Sequence, residues 1–332
     1  MGLIRPAGLI RQAPDRGGPP RRPAWQPARR PGQVAARIPA SALVLTGVIS
    51  LQLGAGFAAT LFAQVPATAV TALRLWTAGL FLAIASARGL RAAVAGLAAR
   101  GGRRDRWRDA AVVVAFGLVL GVMNFAIYQS FARIPLGIAV TVEFLGPLAL
   151  AVASSRRLLD LLWVALAGAG VALLAPGGGG LDWHARSLAG LGFGLAAAAS
   201  WAAYILLSRA TGRRFAGTSG LALAMLVAAV AITPAGVIAG GRALLRPGVI
   251  AVGAAIGLLS STIPYSLELE TLRRIPARVF GIWMSLEPAV AALVGLVLLG
   301  QALTIREWAA IGCVMAACAG AARGGEAQQP QA

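Results

Sequence analysis

Apolar residues along this chain come in long blocks separated by short polar or glycine-rich stretches. Ten blocks stand out, at residues 40–63, 68–87, 110–132, 137–155, 158–175, 188–207, 219–239, 249–267, 277–299 and 305–322. Most reach the roughly 20 residues that an α-helix needs to cross ~30 Å of hydrocarbon. The fifth and tenth are short and carry Asp160 and Glu307 near their starts. Period-2 alternation, the mark of an outer-membrane barrel strand, is absent. The pattern predicts an all-α polytopic membrane protein with ten transmembrane helices.

Two of the blocks repeat one another. RIPLGIAVTVEFLGPLALA (133–151) aligns without gaps to RIPARVFGIWMSLEPAVAA (274–292), so that Arg133, Ile134, Pro135 and Pro147 fall on Arg274, Ile275, Pro276 and Pro288. Ten helices divide into two fives at PGGGGLDWHARS (176–187). Five is odd, so the second half is inserted upside down relative to the first. Inverted repeats of this kind build secondary transporters, with the site at the repeat interface near the midplane. The predicted organisation is a tail (1–39), a first five-helix repeat (40–175), a Gly-rich extracytoplasmic connection (176–187), a second repeat (188–322) and a C-terminal tail (323–332). The pairs Gly117/Gly121, Gly190/Gly194, Gly236/Gly240 and Gly253/Gly257 predict close helix contacts within the chain rather than a dimer face.

Composition agrees with the class: 58% of residues are hydrophobic and 12% charged. The formal charge of +19 would suggest nucleic acid in a soluble protein, but the arginines lie where topology wants them. All thirty basic residues are Arg. Fifteen fall in or beside 88–109, 154–160, 208–218 and 268–276, and five (Arg133, Arg186, Arg242, Arg246 and Arg306) in the alternate loops. The positive-inside bias places both termini in the cytoplasm, with attraction to anionic headgroups and no nucleic-acid partner. Residues 1–39, with eight Arg, eight Pro and no apolar run, are expected to be disordered and are no signal peptide. Cys313 and Cys318 read as small hydrophobes. His184 stands alone, and no metal, nucleotide, cofactor or nucleophile constellation is visible.

The chemistry rests on polar residues at membrane depth. Between Gly137 and Ser155 only Glu143 carries a charge, and a carboxylate mid-helix costs about 2.5–3.5 kcal/mol on insertion scales. Pro147, four residues on, leaves the Glu143 carbonyl without a helical donor, and Pro288 does the same to Met284 beside Glu287. Freed carbonyls next to a carboxylate suit an ammonium or hydroxyl ligand. Each acid is also a candidate to exchange a proton during turnover. Other blocks bring Gln52, Arg74, Asn124 and Tyr128 (one face, i and i+4), Gln129, Trp201, Tyr204, Tyr265, Glu268 and Ser285. Alternatives stand beside these readings: a structural hydrogen bond for Glu143, a snorkelling Arg74, interfacial aromatics at Trp201 and Tyr204, and solvated acids at Glu268 and Glu270.

TALRL (71–75), MNFAIY (123–128), IPLGIAVTVEFLGPLALAVASSRRLLDLLW (134–163), SWAAYIL (200–206), STIPYSLELETLRRIPARVFGIWMSLEPAVAA (261–292) and LGQALT (299–304) resemble the threonine/homoserine exporters. These belong to the EamA-type drug/metabolite transporter superfamily. The resemblance runs over about 40–320. It implies the ten-helix drug/metabolite transporter fold and a bacterial inner-membrane exporter of small polar amino acids driven by proton exchange. Glu143, Glu287, Asn124, Tyr128, Tyr265, Trp201, Tyr204 and Arg74 stand at matching motif positions. Gln301 departs from the Glu usual in the LGExLT signature, and the Arg/Pro-rich tail is extra.

The expectation is therefore a proton-coupled antiporter working by alternating access, monomer or homodimer, one five-helix half rocking against the other. Its substrate ammonium would meet Glu143 or Glu287 and its carboxylate Arg74. Export of another metabolite or drug is the nearest rival. A membrane-embedded enzyme or sensor lacks a nucleophile, metal set or output domain. A channel would need a continuous polar lining.

Overall fold

Every regular element among the described residues is helical, as the unbroken apolar blocks require. The computed structural model describes residues 38–99, 102–153, 159–174, 185–215 and 217–324. The expected N-terminal tail, most of the connection 176–187 and residues 325–332 lie outside them.

Helices α1 (Ala40–Leu61) and α2 (Ala67–Ala85) are followed by a short α3 (Ala87–Ala99) and a long α4 (Arg103–Phe131). Next come α5 (Leu136–Glu143) and α6 (Leu145–Ala153), two pieces of one span, then α7 (Leu159–Leu173), α8 (Ala185–Gly212) and α9 (Ser219–Gly240). Helix α10 (Pro247–Gly257) passes through a π turn at Leu258–Thr262 into α11 (Ile263–Leu272). The chain closes with α12 (Ala277–Met284), α13 (Glu287–Leu299) and α14 (Ile305–Gly324). Among the described residues nine helical stretches are long and apolar enough to cross a membrane, and Asp160–Leu173 is apolar but shorter. The weak fifth block is thus the one that falls below spanning length.

Helix starts are set by proline. Pro39, Pro66, Pro135 and Pro276 each precede a helix with φ between −54° and −58° and ψ between 141° and 147°. A fixed φ and a missing N–H cost nothing at that position, where the donor would have no partner. Two boundaries differ from the sequence expectation. Residues 88–99 and 103–109 are not loop but belong to α3 and the opening turns of α4, because the Ala-rich run ARGLRAAVAGLAA favours helix however polar its flanks. Helix α8 starts at Ala185, inside the expected connection.

The four glycine pairs each face another segment of the same chain. A Cβ at Gly117 or Gly121 would meet Val227 or Ala228 of α9, and at Gly236 or Gly240 it would meet Ala72 or Ala69 of α2. Gly253 and Gly257 lie against Leu73 and Thr77, and Gly190 and Gly194 against Ile134 and Val142. Without side chains at these points the backbones approach closely and gain dispersion contact in place of a hydrophobic drive that lipid does not supply. A large buried cluster includes Leu61, Val65, Phe131, Ile134 and Leu136, beside the turns that join α1 to α2 and α4 to α5.

Candidate functional site

Residues at three helix interruptions line one cavity. The first lies between Glu143 and Leu145. With Pro147 in the next turn no backbone N–H reaches the Glu143 carbonyl, and α5 stops at that residue. The second lies between Met284 and Glu287, where Pro288 acts alike. Helices α5 and α12 are each eight residues long, begin after a proline and occupy equivalent places in the two repeated segments.

The third interruption is the π turn, which sequence reading passed over as part of one apolar block. Pro264 follows it and has no N–H to donate back, so the carbonyls of Leu259 and Ser260 are released. Ser50 Oγ donates to the Leu259 carbonyl at 2.8 Å, and Arg74 Nη2 donates to the Ser260 carbonyl at 3.2 Å. The signal was there in STIP (261–264): a proline deep within a helical block marks a break.

Arg74 turns inwards, so it does not snorkel. Its Nε donates to Ser260 Oγ at 2.8 Å, its Nη1 to Asn124 Oδ1, and its guanidinium lies 5.3 Å from the centre of the Tyr128 ring. Asn124 Nδ2 is anchored on the Leu120 carbonyl at 2.8 Å. A guanidinium has five N–H donors, and three are spent on these neutral groups. Among the described residues no carboxylate forms an ion pair with it.

Glu287 is 5% exposed, and its Oε1 accepts from Gln52 Nε2 at 2.8 Å. Its Oε2, the Gln52 Oε1 and the Tyr128 hydroxyl are buried with no hydrogen-bond partner in the protein. Buried polar atoms are nearly always paired, and these three belong to residues that border one cavity.

That cavity has a volume of about 430 Å³. All eight side chains singled out from sequence line it: Arg74, Asn124, Tyr128, Glu143, Trp201, Tyr204, Tyr265 and Glu287. Pro147 lines it as well, whereas Pro288 does not. Gln52, Ser260 and Glu268 also face it. Gln52 and Glu268 were noted as polar at depth without being placed at the site, and Ser260 went unnoticed. Trp201 is no free-standing interfacial ring: it packs edge-on to Phe144 at the first break, centroids 4.9 Å apart, and Tyr204 packs on Phe116 at 5.2 Å. Glu270, two residues beyond Glu268, lies outside the lining and pairs with Arg274 at 2.5 Å and Arg273 at 3.6 Å. Ser285 bonds back to the Ile282 carbonyl and is not among the lining residues.

Opposite charges facing a partly apolar chamber within a bundle of spans is a transporter's architecture, and the comparisons agree. Residues 188–323 match the EamA-like transporter family. Over 278 residues, 84% of this chain and 89% of the relative, the sequence is 40% identical to the threonine/homoserine exporter RhtA of Escherichia coli (strain K12). The chain belongs to the RhtA family of EamA-like transporters. An RhtA of Salmonella typhimurium is 39% identical over the same extent. A crystal structure 21% identical in sequence aligns over 88% of this chain and 99% of its own with a TM-score of 0.57, a likeness of fold alone. As an RhtA-family member the protein is a multi-pass membrane transporter of small molecules and not an enzyme. The family match to 188–323 takes in α8 to α14, and the RhtA relatives extend the likeness across most of the remaining chain.

Proposed function

We propose that this protein exports small polar amino acids, threonine and homoserine among them, across the bacterial inner membrane by proton antiport. The observation that carries the reading is the charge layout of the cavity. Glu143 and Glu287, each at a helix break, line the same cavity as Arg74, whose guanidinium is paired only with neutral groups among the described residues. An α-amino acid carries those two charges on adjacent groups. Its ammonium meets Glu143 or Glu287, its carboxylate meets Arg74, and the orphaned Tyr128 hydroxyl and Gln52 Oε1 take the polar side chain. The threonine/homoserine exporters at 40% identity support the same substrate class.

Coupling follows from the acids. A carboxylate that binds ammonium in one state and a proton in the other cannot hold both, so protonation from outside releases substrate and resets the carrier. Alternating access is served by ten helices in two inverted repeats, a reading supported by the matched eight-residue helices α5 and α12. The arginine distribution supports cytoplasmic termini. With that orientation Ala151, Phe280 and Ala322 line the cavity towards its cytoplasmic end, and Phe131 lines it towards the outer end. Walls built from Met123, Phe144, Trp201 and Met284 favour a second reading, export of a larger amphipathic amine.

Efflux of preloaded labelled threonine and homoserine from proteoliposomes tests the proposal, comparing wild type with Glu143→Gln under an imposed pH gradient. Export that responds to the gradient in the wild type and not in Glu143→Gln supports it. Equal export by both makes Glu143 structural, and no movement of either amino acid by folded protein refutes the substrate.

A further inference from the structure

Glu268 stands apart from the acids used so far. It lies on α11 one turn after Tyr265, close to the end of the bundle where α6, α11 and α14 finish and α12 starts. At that end the cavity is walled by Ala151, Phe280, Cys318, Ala321 and Ala322, and Glu268 supplies its charge. A second cavity of about 470 Å³ lies between α2, α8, α9 and α11, and Tyr265 and Glu268 are the two residues that line both.

Partnering sharpens the contrast. Two residues further on, Glu270 is held by Arg273 and Arg274. Glu268 is partly buried, and among the described residues it makes neither hydrogen bond nor ion pair. An unpaired carboxylate set in apolar walls carries a desolvation cost with nothing in the protein to offset it. A cation that comes and goes would offset it.

We infer that Glu268 and Tyr265 form a loading subsite for a primary ammonium group, upstream of Glu143 and Glu287, where the two cavities meet. The inference rests on the amine-export reading for its direction of travel and on the geometry of the two cavities for its existence. Substrate ammonium pairs first with Glu268, with the Tyr265 ring beside it, and then moves inward to the deeper acids and Arg74. Removing the Glu268 charge weakens capture and leaves the later steps in place.

The test reads KM and kcat of amino-acid efflux for wild type, Glu268→Gln and Glu268→Asp in proteoliposomes, with carbodiimide labelling of Glu268 followed by peptide mass in the purified full chain. Loss of a charged contact made on capture raises KM about tenfold in Glu268→Gln with less than about twofold change in kcat. Glu268→Asp recovers most of the affinity. Propylammonium, which has no carboxylate, slows labelling of Glu268 in the wild type and in Glu143→Gln alike. An unchanged KM, or a kcat that falls with KM fixed, overturns the subsite. Labelling that propylammonium does not slow also overturns it, whatever the efflux assay shows. Should wild type export no amino acid while propylammonium still protects Glu268, the substrate reading fails and the ammonium subsite stands.

Discussion

Gln52 on α1 and Glu287 at the start of α13 are 235 positions apart in sequence and 2.8 Å apart in space. The amide gives the acid a neutral donor on one oxygen and leaves the other oxygen, in a cavity-lining residue, unpartnered. Replacing Gln52 with Leu removes that donor without changing charge. The cost of leaving a buried acceptor unmade is about 1–3 kcal/mol. We expect a lowered midpoint in thermal unfolding of detergent-solubilised protein and loss of most efflux. Wild-type values for both in Gln52→Leu would show that the pair has no role.

Arg74→Lys keeps the positive charge and tests the shape around it. An ammonium cannot reach Asn124, Ser260 Oγ and the Ser260 carbonyl together, as the guanidinium does. Efflux should fall at least about tenfold, the size expected when a multi-point guanidinium contact is reduced to one. Efflux equal to wild type would mean that charge alone matters at this position.

Gly146 packs where α6 crosses α8. A Cβ there would sit 2.0 Å from the Ala198 carbonyl oxygen, backbone that no side-chain rotation can move away. Gly146→Ala should cost on the order of 3 kcal/mol or more, the range of severe overpacking, and prevent accumulation of folded protein. Gly192→Ala, on the same α8 with nothing within 4 Å of the added carbon, should change stability by no more than about 1 kcal/mol, in the favourable direction. Melting curves of the two variants side by side decide it.

Gln301 Oε1 accepts the Leu136 N–H at 2.9 Å, capping α5 from the loop that follows α13. That loop turns at Gly300, whose φ of +64° suits glycine. Gln301→Glu keeps an acceptor oxygen and should keep stability and transport. Gln301→Ala should lose about 1 kcal/mol, the usual cost of an uncapped helix start. Unfolding midpoints in the opposite order would contradict the capping role.

Much of this could be read from the chain before any coordinates. Long apolar blocks fix spans because lipid tolerates no unpaired backbone, and Pro147 four residues after the lone Glu143 marks the break. The eight side chains at the matching motif positions line one cavity, whereas Gln129 and Ser285, polar at the same depth, do not. What stayed hidden depends on contacts between distant segments. Nothing near Gln52 in sequence announces Glu287, and Ser260 matters because Pro264 frees its carbonyl for an arginine 186 residues away. The stretch 88–109 misled for another reason: its arginines signalled a loop, while its alanines make helix.

The glycine contacts bear on how the chain folds. Gly117 and Gly121, before residue 176, seat against α9, after residue 187, and Gly236, Gly240, Gly253 and Gly257 seat against α2. The tightest surfaces of each sequence half are therefore completed by the other half, and residues from Pro39 onward form one compact unit. Neither half made alone could cover its own small-residue faces. Synthesised as two separate polypeptides, they would have to find each other in the bilayer before either acquired its final packing.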